Sequence, residues 1–143
     1  MNNSNEEIGF LVVNVKTANG ALPIENANVT IFANETPKEN TGAALIDSDV
    51  IYNLKTDISG KTPKVALNTK SKSLSQSPEN LFPYLTYNIY VTKDGYYDST
   101  YLNVPIFQGI TSLQEADLIP LSEFASPTDP IPNSARQYKE SMN

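Results

Sequence analysis

Three strand-and-turn motifs follow one another in an order that suits a small β-sandwich. Residues 8–15 alternate, with Leu11, Val13 and Val15 on one face and Phe10 and Val12 on the other. Both faces are apolar, the mark of a strand central to its sheet. Asn19-Gly20 follows, a pair that tolerates positive φ and so reads as a turn. Pro23 presets φ where the chain enters the next strand. Ala27, Val29 and Ile31 there face inward while Asn28 and Thr30 face out. The second motif is Thr56-Asp57-Ile58-Ser59-Gly60: Asp57 accepts local amides and Gly60 takes positive φ. The third is Tyr87-Asn88-Ile89-Tyr90-Val91, whose odd positions form an inward face before Gly95 ends the strand.

Further strands are expected around Tyr52 and Leu54, at Val65 and Leu67, at Tyr101 to Val104, and at Ala116 to Leu121. No convincing amphipathic helix appears; Ser112 to Ala116 has room for one turn, and Ser134 to Met142 for transient helix. The expected fold is therefore all-β: an antiparallel, Greek-key sandwich of about seven strands, estimated from turn spacing. Leu11, Val13, Val29, Ile31, Leu54, Ile89 and Val91 are its expected core. One β-sandwich domain is placed at 8–122, between a flexible arm at 1–7 and a proline-containing flexible tail at 123–143. Glu35 to Asp49 and Lys70 to Pro83 read as surface loops.

Composition excludes more than it assigns. With no histidine and no cysteine, neither a Ser-His-Asp nor a Cys-His nucleophile can be assembled. Disulfides, thiolate metal sites and imidazole ligands go with them. The net charge of −6 comes from interspersed charges without a basic stripe, which argues against nucleic acid as a partner. No apolar run approaches membrane-spanning length, so no membrane insertion is expected. The acidic start, Met1 to Glu7, is no signal peptide, so the chain is read as made in the cytosol and deposited on a spore or cell surface.

No catalytic residue, metal ligand or cofactor site is singled out. Asp47-Ser48-Asp49 lacks the glycine and bidentate glutamate of a calcium loop. Gly60-Lys61-Thr62 ends like a phosphate loop, but Lys55 stands where that loop needs glycine. Sixteen acidic residues are what a solvated surface carries, so no hydrolytic carboxylate pair stands out.

Tyrosine is the more informative residue. Tyr84, Tyr87, Tyr90, Tyr96, Tyr97 and Tyr101 crowd one stretch of a chain that has no tryptophan. Tyr87 and Tyr96 read as core and rim, Tyr96 folding over an open end of the sandwich. Tyr84, Tyr97 and Tyr101 are the candidate aromatic patch for a glycan or a protein surface. Ile8, Phe124, Ile131 and Tyr138 are the candidate apolar anchors of assembly arms.

Pro23-Ile24-x-x-Ala27-x-Val29-x-Ile31, Thr56-Asp57-x-x-Gly60 and Tyr87-x-Ile89-x-Val91-x-Lys93-x-Gly95-Tyr96 together resemble the carboxypeptidase regulatory-like domain, over roughly residues 8 to 122. That resemblance implies a transthyretin-like sandwich. Tyr84 to Ile89 and Asn103 to Gln114, followed by Leu118-Ile119-Pro120-Leu121, are similar to the β domain of clostridial spore cortex-lytic enzymes and related peptidoglycan-binding proteins. In those relatives the domain accompanies catalytic or wall-binding modules. Read as a stand-alone domain, this chain takes from them a spore or envelope setting but no lytic activity.

Two functions compete on these grounds. In the first, a non-enzymatic module assembles as a homo-oligomer, or with other spore or envelope proteins, through sheet faces, edges and terminal arms. In the second, the tyrosine-rich surface binds peptidoglycan.

Overall fold

A computed structural model describes residues 6–34, 50–71 and 84–132. The expected surface loops, Asp47-Ser48-Asp49, Tyr138 and Ser134 to Met142 lie outside these residues. Eight strands are described and no helix: β1 (Glu6–Thr17), β2 (Leu22–Pro23), β3 (Asn28–Asn34), β4 (Val50–Lys55), β5 (Val65–Lys70), β6 (Leu85–Thr92), β7 (Ser99–Ile106) and β8 (Thr111–Leu118). They make two sheets, as a sandwich requires. The first has the order β2-β1-β5, with β8 also paired to β1; the second is β4-β3-β6-β7.

β1 is the central strand that its two apolar faces predict. On one flank it pairs in turn with β5 over residues 6–11, with Lys61 at Asn14, and with β2 at residues 16–17. On the other flank β8 runs beside residues 10–17 in parallel. The remaining ladders between strands are antiparallel. The parallel pairing departs from the antiparallel expectation for a physical reason. Parallel neighbours need a long connection, and here nearly the whole domain lies between them.

The inward residues of both sheets close one core, from Leu11, Val13 and Val15 of β1 to Ile89 and Val91 of β6. Leu54 is the exception among the expected core residues. It is only partly buried, packed against the core's margin, because β4 is an edge strand. Hydroxyl groups join the two layers where apolar contact ends. The Tyr52 hydroxyl donates to the Ala66 carbonyl at 2.8 Å, and that of Tyr87 to the Asn68 carbonyl. Buried Thr69 donates to the Ile106 carbonyl and accepts from the Leu85 amide. β5 is thereby tied to β6 and β7 across the sandwich.

The turns carry the chemistry that their residues predict. Asn19 and Gly20 have φ of 58° and 89°, and Ala18 joins them at 54°. At the next corner Thr56 is buried; its hydroxyl donates to the Ile24 carbonyl at 2.6 Å and accepts the Ala27 amide at 2.9 Å. Ala27 is fully buried there, so a larger side chain has no room.

Asp57 organises the following turn. One oxygen, Oδ1, accepts the Ser59 amide and hydroxyl at 2.9 Å and the Lys61 amide at 3.0 Å. Hydrogen bonds from the Lys61 amide first, and then from the Ser59 hydroxyl, hold this carboxyl below its ordinary value of 3.8. A depressed carboxylate stabilises the fold above its unfolded pKa, and that contribution fades as pH falls through the folded value. Asp57→Ala is therefore expected to melt earlier than the parent near neutral pH. The difference should close as pH falls below 3.8 and through the depressed value. A series of thermal melts across pH checks this; a gap that persists in acid would assign the effect to something other than the charge.

Candidate functional site

The three candidate tyrosines do not form one surface. Tyr97 is 2% exposed, so its ring is part of the interior and not of a binding patch. Its amide donates to the Ile119 carbonyl at 2.9 Å, and its hydroxyl pairs with the Ser122 hydroxyl at 2.7 Å. The chain beyond β8 returns over this ring, which the polar neighbours of Tyr97 in sequence do not reveal. Tyr96 packs partly buried against the core, bridging to Pro120.

Tyr101 is half-buried on β7, lining an open cleft with Lys16, Asn19, Gly20, Glu115, Ala116 and Asp117. Burial pushes its hydroxyl above the usual tyrosine range, against hydrogen bonds with the Ser99 side chain and the Asp117 backbone that pull it down. Tyr84 is half-buried at the foot of β6, its ring tilted against Phe107 with centroids 5.1 Å apart. Tyr90 faces outward and donates to Asp98; that hydrogen bond, with lesser burial, pushes its pKa up to about 12. The crowding of tyrosines in sequence is thus dispersed in space.

The arm candidates also separate. Ile8 lies within β1, 42% exposed, and its carbonyl accepts the Gly109 amide. Phe124 is 97% exposed in a turn, at φ 67°. Ile131 is half-buried, and Tyr138 lies outside the described residues. Ordered contacts run past residue 122, since the Asp98 amide donates to the Pro127 carbonyl at 2.9 Å.

Both outer faces carry apolar side chains among polar ones. The second sheet turns out paired polar side chains, Thr30 with Asn53 at 3.0 Å and Asn34 with Thr86 at 3.0 Å, among the apolar or aromatic Phe32, Tyr90 and Leu102. The first sheet turns out Ile8, Phe10 and Val12 from β1, beside Ala66 of β5 and Leu113 of β8. Ile8, Leu113 and neighbouring Phe107 and Ile110 are all substantially exposed. Lys64 stands over the Phe10 ring at 5.0 Å, a cation–π contact at the margin of this area. Large exposed apolar areas mark interaction sites on soluble domains.

Further along the same face the character changes. Asn14 lies between Lys61 on one flank and Glu115 on the other, and Lys16 lies beside Asp117. The Asn14 amide nitrogen reaches Glu115 at 3.4 Å, while its buried oxygen makes no hydrogen bond among the described residues. Ile8, Phe10 and Val12 appear in the sequence as the second apolar face of a central strand. Leu113 carries no such signal, because its role depends on the pairing of β8 with β1.

Among the described residues, β8 is also an edge strand. The Phe10 amide donates to the Ile110 carbonyl, which sets the phase of the parallel ladder. Odd residues of β8 consequently turn their backbone groups away from β1, and the Tyr101–Asp117 contact occupies one of them.

Among the described residues, no three histidine, cysteine, aspartate or glutamate side chains gather to hold a metal ion. No helix among them is long and apolar enough to cross a membrane.

No protein-family model and no curated protein matches the chain. Solved structures do match in fold. Catechol 1,2-dioxygenase from Acinetobacter sp. ADP1 is 13% identical with a TM-score of 0.54, over 92% of this chain and 58% of that one. The wild-type enzyme of Acinetobacter radioresistens is 12% identical with a TM-score of 0.50, over 87% and 56%. GBS52, the minor pilin of Streptococcus agalactiae, is 14% identical with a TM-score of 0.46, over 87% and 50%. The chain thus spans about half the length of these proteins, and at such identities the likeness to the two dioxygenases is one of β-sandwich fold alone.

Proposed function

We propose that this chain is a non-catalytic structural and interaction module of a bacterial spore or cell envelope. It assembles with copies of itself or with other envelope proteins through its sheet faces, sheet edges and terminal arms. One observation carries this reading: the outer face of the first sheet presents Ile8, Leu113 and adjoining Phe107 and Ile110 to solvent. A sandwich fulfils its folding needs with its inner faces, so an apolar outer face is a surface kept for contact. The resemblance to carboxypeptidase regulatory-like and spore cortex-lytic β domains supports the setting. The absence of histidine and cysteine from the sequence supports a non-catalytic role without cofactors.

Peptidoglycan binding is the rival. Burial of Tyr97 removes one member of its aromatic patch, leaving the Tyr84–Phe107 pair and the half-buried Tyr101. Purified sacculi discriminate between the two. The full chain is expected to stay in the supernatant when sacculi are pelleted, and to release no soluble fragments from them. Saturable pelleting abolished by Tyr84→Ala would favour the glycan reading. Fragment release lost on changing a single aspartate or glutamate would overturn the non-catalytic assignment.

A further inference from the structure

We infer that the outer face of the first sheet is a self-complementary surface, and that its occupant is the same face of a second copy, related by a two-fold axis along β1. This rests on the assembly reading above and gives it a geometry. The ladders lay the face out in rows. Val12 lies beside Leu113 and Phe10 beside Ala66, while the row of Asn14 runs from Lys61 on one flank to Glu115 on the other. Paired residues share a face, so these two charges stand at the same height on opposite sides of β1. Neighbouring strands are about 4.8 Å apart, so the two flanks are separated by roughly 10 Å.

A two-fold axis lying in the interface along β1 exchanges the flanks and preserves the height. Lys61 of one copy then faces Glu115 of the other, and the same contact recurs on the far side of the axis, as an isologous interface requires. Ile8, Phe10 and Val12 fall on or beside the axis and meet their own counterparts, and at the charged end Lys16 meets its counterpart with Asp117 of each copy beside it. The competing in-plane axis, across the strands, would exchange the two halves of the face. It would keep each flank on its own side, so Lys61 of one copy would meet no Glu115 of the other. Aligned packing of sheets with a modest rotation is an ordinary geometry for such faces. The two copies would thus form a four-layered pair, with the outer faces of their second sheets to solvent.

The test is sedimentation velocity on the full chain over a wide concentration range, with charge-reversal variants. Lys61 and Glu115 are both exposed, and melting curves verify that the variants remain folded. Glu115→Lys alone places two like-charge pairs in the dimer, as does Lys61→Glu alone. Each is expected to weaken self-association at least about tenfold. An equimolar mixture of the two single variants restores opposite charges on both sides of the axis, and is expected to regain a dimer of near wild-type strength. Leu113→Asp, at an exposed position, is expected to weaken association without a charge partner to rescue it. Association of the wild type that ignores all these variants would overturn the face-to-face pair while leaving assembly by edges or arms standing. Failure of the mixture to recover would overturn the proposed axis. A wild type that stays monomeric at every concentration would overturn both this geometry and self-assembly.

Discussion

Gly60→Ala is expected to destabilise the sandwich by about 3–5 kcal/mol, the range for backbone strain combined with a lost packing contact. Gly60 has φ of 84°, in the left-handed region, and a Cβ there would lie 2.5 Å from the Val15 carbonyl oxygen. Relief is hard to find, because the obstacle is backbone. The Gly60 carbonyl also accepts the Val15 amide at 2.7 Å, and the Val15 carbonyl accepts the Ile24 amide at 3.0 Å. Moving either partner loosens β1 from the segment that flanks it. Gly20→Ala provides the comparison: φ is 89°, but nothing lies within 4 Å of the new atom. Its cost should stay near the conformational penalty alone, about 1–2 kcal/mol. Denaturant unfolding of both variants measures the difference, and equal midpoints would contradict the packing of Gly60 against Val15.

Ile89→Ala is expected to cost about 2–5 kcal/mol, the transfer free energy of the lost groups plus the cavity they leave. Ile89 is fully buried in β6, paired with Ile31 of β3 on one side and Tyr101 of β7 on the other. Neither neighbouring strand can collapse into the space without leaving its ladder. Leu102→Ala, on the outer side of β7 and 45% exposed, should fall within about 0.5 kcal/mol of the parent. The same unfolding curves decide: a neutral Ile89→Ala would contradict the core assignment.

The residues in these two predictions also show which parts of the fold are legible in the sequence. Gly60 is readable because the requirement is local: Asp57 and Gly60 form one turn, and the chemistry of each is visible without the rest of the chain. Ile89 is readable because the period of two in β6 survives from end to end. Tyr97 is misread because its burial comes from a distant return of the chain at Ile119 and Ser122. Leu54 is misread because the pattern within a strand does not say whether that strand lies at an edge. The parallel ladder between β1 and β8 joins the two extremes of the domain, and no local periodicity reports it.

The outer face illustrates a subtler limit. Phe10 and Val12 are correctly read as apolar positions on the second side of a central strand. Central strands of parallel sheets are covered on both sides, but a sandwich has only two layers, so here the second side faces solvent. The pattern that elsewhere marks a buried strand therefore marks the candidate docking surface here. Leu113 joins it only through the register of β8. Lys61 and Glu115 become opposite flanks of one row only once the fold brings them to either side of Asn14.

Light scattering from the purified full chain, as a function of concentration, tests the central claim most directly. A module built for assembly should give a mass well above 15.7 kDa that falls on dilution and, because the contact joins apolar outer faces, persists in moderate salt. A constant mass of 15.7 kDa at every concentration would contradict assembly with its own copies.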